Sequence, residues 1–127
     1  MNEKIVINTD EAPQAIGTYS QAIRVNNLVF ASGQIAINPE TGELVSSDFK
    51  EQAEQVIKNL KAICKACEAD LSKVIKLTVF LTDLNNFASF NQIMADNFPK
   101  PYPARSAVGI SSLPKGALIE AEMILAL

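Results

Sequence analysis

Residues 48–69, DFKEQAEQVIKNLKAICKACEA, and the run VIKLTVFLT at 74–82 decide the class of this fold. In the first, Phe49, Ala53, Val56, Ile57, Leu60, Ile63, Cys64 and Cys67 recur at spacings of three and four, one apolar stripe of an α-helix. Lys50, Glu51, Glu54, Lys58, Lys61 and Lys65 fill the other side, with Glu54 and Lys58 placed as a supportive pair four apart. Asp48 and Glu51 have capping-box spacing and mark the start. In the second run the alternation of a strand puts Ile75, Leu77, Val79 and Leu81 on one side and Val74, Thr78 and Phe80 on the other. Helices can cover one face of such a sheet. The second face needs a partner, so the pattern predicts a homo-oligomer built through the uncovered face.

Outward from this pair, a second helix is expected over about Asn85 to Phe98, with Phe87, Phe90, Ile93, Met94 and Phe98 as its stripe and the following prolines as its stop. KIVIN, SQAIRV, LVFAS, RSAVGI and ALIEAEMILAL read as further strands. Asn26 and Asn27 suggest a hairpin turn and NPETGEL a longer loop. The order is β-β-β-α-β-α-β-β, an α+β sheet of five or six strands with two helices. The last strand runs to Leu127 with no polar tail, as though tied into the sheet.

At 127 residues this is one domain, 1–127. A net charge of −3 without a Lys/Arg cluster leaves no electrostatic footprint for nucleic acid. No apolar run approaches the roughly 18 residues of a membrane span, and the reading is a soluble, cytosolic chain. The chain has no histidine, which removes Ser-His triads, Cys-His dyads and His-based metal sites. Chemistry must come from carboxylates, Arg, Lys, Tyr, hydroxyls or backbone. No GxGxxG or GxxxxGK[ST] string supports a nucleotide fold.

Cys64 and Cys67 form a CxxC, but near the end of a long helix rather than at its start, and with no further ligands for zinc; both are expected in the core. Glu120 and Glu122 share a mostly apolar strand face. Either they lie on a wet rim or pair with cations, or one is partly buried with a raised pKa suited to proton transfer. Arg105 shares a face with Ala107 and Gly109, so the ground beside it is bare in a strand that otherwise looks fit for an interior. It either closes a salt bridge with Glu120 or Glu122 or offers a guanidinium fork to a small carboxylate or phosphate. Gly33 interrupts a strand, which marks a bulge or a close backbone approach. Tyr19 follows Gly17 and is either a phenol in a site or a buried turn residue.

The blocks YPARSAVGISSLPKGALIEAEMI, APQAIGTYSQAI, FASGQIAINPETGEL and LTVFLTDLNNFASFN, in order over nearly the whole chain, resemble the RidA (YjgF) family of small imine deaminases. The resemblance implies a chorismate-mutase-like fold and a homotrimer with active sites in the clefts between subunits. It implies cofactor-free, metal-free hydrolysis of small 2-imino acids such as 2-iminobutanoate and 2-iminopropanoate. In that reading Arg105 holds the substrate carboxylate and Glu120 positions the attacking water. Tyr19, Ser32 and Gly33 line the pocket, the backbone at Ala107 lies near the imine nitrogen, and Phe87 closes the wall from an adjacent subunit. Ala107 stands where many relatives have Cys, Thr18 where Pro often precedes the Tyr, and Ala121 where a larger aliphatic often follows the Glu. Other members of the family have been described as regulators, so a carboxylate-sensing or protein-binding role on the same fold is the alternative.

Overall fold

The computed structural model describes residues 3–127. Six strands, β1 (Ile5–Ile7), β2 (Ala22–Val25), β3 (Leu28–Gln34), β4 (Val74–Leu81), β5 (Ala104–Gly109) and β6 (Ile119–Ala126), form one sheet in the order β1-β2-β3-β6-β4-β5. All neighbours are antiparallel except β4 and β5. That parallel pair needs a crossover, which α2 (Phe87–Asn97) supplies. The other helix, α1 (Phe49–Ala66), connects β3 to β4.

The ends of α1 follow from its sequence. Asp48 accepts the Glu51 backbone N–H at 3.0 Å. At the other end the Ala69 N–H reaches Cys64 O and the Glu68 N–H reaches Lys65 O, with Glu68 in the left-handed region at φ 57°. This is a Schellman closure on a residue other than glycine. Cys67 is the C-cap and only half-buried, so of the two cysteines Cys64 alone belongs to the buried stripe. Glu54 and Lys58 do not come within ion-pair distance; among the described residues the one such pair is Lys65 with Glu11, at 3.3 Å. A 3₁₀ turn over Leu84–Asn86 takes the start expected for α2.

The core lies between one sheet face and the helices. Leu77, Val79 and Leu81 of β4 and Ile119, Ala121, Met123 and Leu125 of β6 meet Val56, Ile57, Leu60 and Ile63 of α1 and Phe90 and Ile93 of α2. Ile75 does not join them. A bulge shifts the β4/β6 register between Val74 and Lys76, which buries Val74 and leaves Ile75 exposed. Asn26 closes the β2/β3 hairpin at φ 54°, and the Leu127 N–H donates to Asn27 O at 2.7 Å.

The opposite face carries no helix. Val6, Phe30 and Val108 are exposed there, and Ile23, Phe80 and Ile124 half-exposed, in cross-strand rows such as Ile23, Phe30 and Ile124. β5, expected to be interior, is an exposed edge strand in which Ala107 alone is partly covered.

Candidate active site

Glu120 is positioned by the alternation of β6. Ile119 and Ala121 enter the core, so Glu120 and Glu122 project from the helix-free face. Beside them β3 makes a bulge, its register shifting between Ala31 and Gln34, so that Ser32 and Gly33 together oppose β6. The bulge expected at Gly33 is present, and what lies close to its backbone is the Glu120 side chain: a β-carbon at residue 33 would stand 2.5 Å from Glu120 Oε1 and 2.7 Å from its carboxyl carbon.

The loop before β2 completes this wall. Gln21, 2% exposed, accepts the Thr9 N–H at 2.7 Å and donates to the carbonyls of Thr9, Ala12 and Pro13. The Gln21 backbone carbonyl receives the Ser32 N–H at 2.9 Å, while Ser32 Oγ donates to Ser20 O at 2.6 Å. The resulting cleft has a volume of about 450 Å³ and is lined by Tyr19, Ser32, Gly33, Glu120 and Glu122, with Ile16, Gln34 and Lys115 around them. Tyr19 is half-exposed, not a buried turn residue. Lys115 stands at φ 59° in the turn that leads into β6.

Burial pushes the Glu120 carboxyl above its ordinary range, and the like charge of Glu122 two residues along pushes it further. Among the described residues no cation lies within ion-pair distance of either. Of the two fates open to this pair, partial burial with a raised pKa is the one that Glu120 shows.

Arg105 is elsewhere. Its register partner on β4 is Leu77, a core residue, so Arg105 faces the helix side of the sheet at its exposed edge. Glu120 pairs with Phe80 and faces the other side. A salt bridge from Arg105 to Glu120 or Glu122 within one chain is therefore closed off by the sheet. The guanidinium instead donates to Asn91 Oδ1 at 2.5 Å, touches Met94 Sδ at 3.5 Å and lies over the Phe87 ring at 4.9 Å from its centroid. It lines a hollow of about 440 Å³ with Asn91, Met94, Tyr102 and Pro103. Among the described residues no carboxylate lies within ion-pair distance of it.

The candidate residues thus fall into two separate groups within the chain. Tyr19, Ser32, Gly33 and Glu120 come together in one; Arg105 and Phe87 come together in the other, with Ala107 next along the same face of β5. Asn91 and Gln21 were missed from sequence. Asn91 had a legible signal, standing four residues after Phe87 and so on its side of α2. Gln21 had none, because its partners lie 8 to 12 residues away in an irregular loop.

The two cysteines offer no reactive alternative. Burial pushes the Cys64 thiol up to about 12, and burial raises Cys67 as well. Among the described residues no cluster of three or more His, Cys, Asp or Glu could hold a metal, and no helix is long and apolar enough to cross a membrane.

The profile of the endoribonuclease L-PSP family matches residues 9–127. The chain belongs to this family, which includes RidA. A RutC family protein of Pyrococcus abyssi is 53% identical over 121 residues, covering 95% of each chain. The human 2-iminobutanoate/2-iminopropanoate deaminase is 44% identical over 119 residues, 94% of this chain and 87% of that protein. The crystal structure of RidA from an Antarctic Psychrobacter superposes with a TM-score of 0.93 at 51% identity, covering 97% of this chain and 99% of that one. The six-stranded mixed sheet with two helices is the fold shared with that structure, and relatives matched over nearly the whole chain include proteins named 2-iminobutanoate/2-iminopropanoate deaminase and one named a regulator.

Proposed function

We propose that the chain hydrolyses 2-imino acids, 2-iminobutanoate and 2-iminopropanoate among them, to 2-oxo acids and ammonia. It does so as a homotrimer whose intersubunit clefts join the Arg105 half-site of one chain to the Glu120 half-site of another. The observation that carries this reading is Glu120: a half-buried carboxyl of raised pKa, with no cation at ion-pair distance among the described residues, in a cleft sized for a small ligand. Arg105, free of any carboxylate and braced by Phe87 and Asn91, supplies the complementary charge. The exposed apolar rows of the helix-free face support an assembly that covers them.

In this mechanism Arg105 grips the substrate carboxylate bidentately and turns the imine carbon toward a water held by Glu120. Water adds to that carbon as Glu120 takes its proton. That proton passes to nitrogen to complete the carbinolamine; Glu120 then takes the carbinolamine hydroxyl proton and hands it to the amine as the C=O bond forms and the C–N bond breaks, so that ammonia leaves a 2-oxo acid. A carboxyl above its ordinary pKa can both accept and return that proton, a contribution of roughly 10²- to 10⁴-fold in rate. The reaction needs no cofactor, and in the cell it would spare pyridoxal-phosphate enzymes from the imines and enamines that such enzymes release.

The test is release of 2-oxobutanoate from a threonine dehydratase reaction, in a buffer that does not itself consume the imine, with and without the chain. Faster release supports the enzyme. Release at the buffer rate would instead favour a carboxylate-sensing or protein-binding regulator.

A further inference from the structure

Two polar side chains are buried on the apolar stripe of α1, Gln52 at 1% and Asn59 at 0% exposure. The spacing of a helix puts them on one face with Val56 and Ile63. Gln52 accepts the Leu118 N–H at 2.9 Å and donates to Ser46 O at 2.8 Å. Asn59 donates to Ile37 O at 3.0 Å and to Ile35 O at 3.3 Å, and accepts from Gln55 Nε2 at 2.8 Å. Placing an amide in a core is unfavourable unless it is bonded, and both amides are bonded at both ends.

The segments they reach flank the contact between Gly33 and Glu120. Leu118 stands two residues before Glu120, and Ile35 two residues after Gly33. The pairing of β3 with β6 ends at Gln34 and Ala121, so Ile119 and Glu120 pair with β4 and not with β3. The chain enters β6 from a turn with two successive left-handed residues, Lys115 and Gly116, and the Leu118 carbonyl receives the Thr82 N–H at a long 3.3 Å. Its N–H goes to Gln52. On the other side β3 leaves through a tight turn in which the Ile37 N–H donates to Ile35 O at 2.8 Å, and Asn59 holds both carbonyls of that turn.

We propose that Gln52 and Asn59 are positioning residues for Glu120. From the helix side of the sheet, α1 fixes the entry of β6 through Leu118 and the exit of β3 through Ile35 and Ile37, and so fixes how closely the Glu120 carboxyl lies on Gly33. Fully bonded amides on one helix set direction as well as distance, whereas apolar packing alone specifies neither so narrowly. The use of that spacing in catalysis rests on the deaminase reading above; the spacing itself does not.

The experiment follows the Glu120 carboxyl directly. In the full chain with isotope-labelled glutamate, its carboxyl NMR signal is the one lost in Glu120→Gln, and its pH titration is compared between wild type and Gln52→Met, which keeps length and removes both hydrogen-bonding ends. Wild type is expected to titrate above the ordinary carboxylate range. In Gln52→Met the midpoint falls toward that range, because the carboxyl slips off Gly33 into water. In parallel kcat falls about tenfold while KM stays within about twofold, since the grip of Arg105 is untouched. Asn59→Leu is expected to do the same and decides the matter should Gln52→Met not fold. A variant that only melts earlier and keeps the wild-type Glu120 titration would overturn the assignment, as would a rise in KM with kcat unchanged. Should wild type fail the dehydratase assay, the deaminase reading falls, and the shift in titration still decides the positioning.

Discussion

The Glu120 carboxyl lies over Gly33 with no room for a β-carbon between them: Oε1 would be 2.5 Å and Cγ 3.1 Å from one. Gly33 is not in the left-handed region, so its lack of a side chain, not its backbone freedom, is what the site uses. Gly33→Ala must push the flexible end of Glu120 aside. The fold should survive, with stability changed by about 1 kcal/mol or less, while kcat falls about 10- to 100-fold because the carboxyl leaves its station. Thermal unfolding and turnover measured on one preparation check this; unchanged turnover would mean that the contact has no catalytic use.

Glu122 is expected to tune Glu120. Removing the like charge in Glu122→Gln should lower the Glu120 pKa, so the acid limb of the kcat/KM profile moves to lower pH; burial, the larger cause, keeps it above the ordinary carboxylate range. The linked stability has a definite sign. A carboxyl whose folded pKa is raised binds its proton more tightly when folded, so stability is fullest below the unfolded pKa and falls as pH rises through the folded one. Glu120→Gln should abolish turnover and flatten that fall between acid and neutral pH, read as melting temperature against pH.

Arg105→Lys keeps the charge and loses the fork and its seat on Phe87. KM should rise about tenfold or more, with stability within about 0.5 kcal/mol of wild type because the residue is exposed. Wild-type KM in the Lys variant would refute a bidentate clamp.

Because Arg105 and Glu120 face opposite sides of one sheet, a site that uses both needs two chains. Inactive Arg105→Ala and Glu120→Gln chains, co-refolded at equal amounts, should regain about a quarter of wild-type activity, the chance that a given cleft draws an intact Arg105 from one chain and an intact Glu120 from its neighbour. Light scattering should report three chains per particle. A mixture that stays dead would count against the shared site.

Gln21→Leu strips the Thr9 N–H and three loop carbonyls of their partner. A destabilisation of about 2–3 kcal/mol is expected in urea unfolding, together with a raised KM as the wall beside Tyr19 loosens.

Much of this was legible from residue order alone. The three-and-four spacing in 49–64 fixed α1, and the alternation of Ile119, Ala121, Met123 and Leu125 fixed which side of β6 is buried, because both periods are set by backbone geometry. The resemblance named Arg105 and Glu120 as partners. Where local pattern failed, a long-range term had intervened. Ile75 lost its place to a bulge that exists only against β6, and β5 read as interior although no strand lies beyond it at that sheet edge.

The sequence by itself determined the main elements, their order and the buried faces of α1 and β6, since those depend on periodicity and capping within a few residues. Only the tertiary structure decided that Gly33 makes room for Glu120 and that Arg105 and Glu120 stand on opposite sides of the sheet. Those depend on register between strands distant in sequence, and a one-residue shift in register turns a side chain from one face to the other.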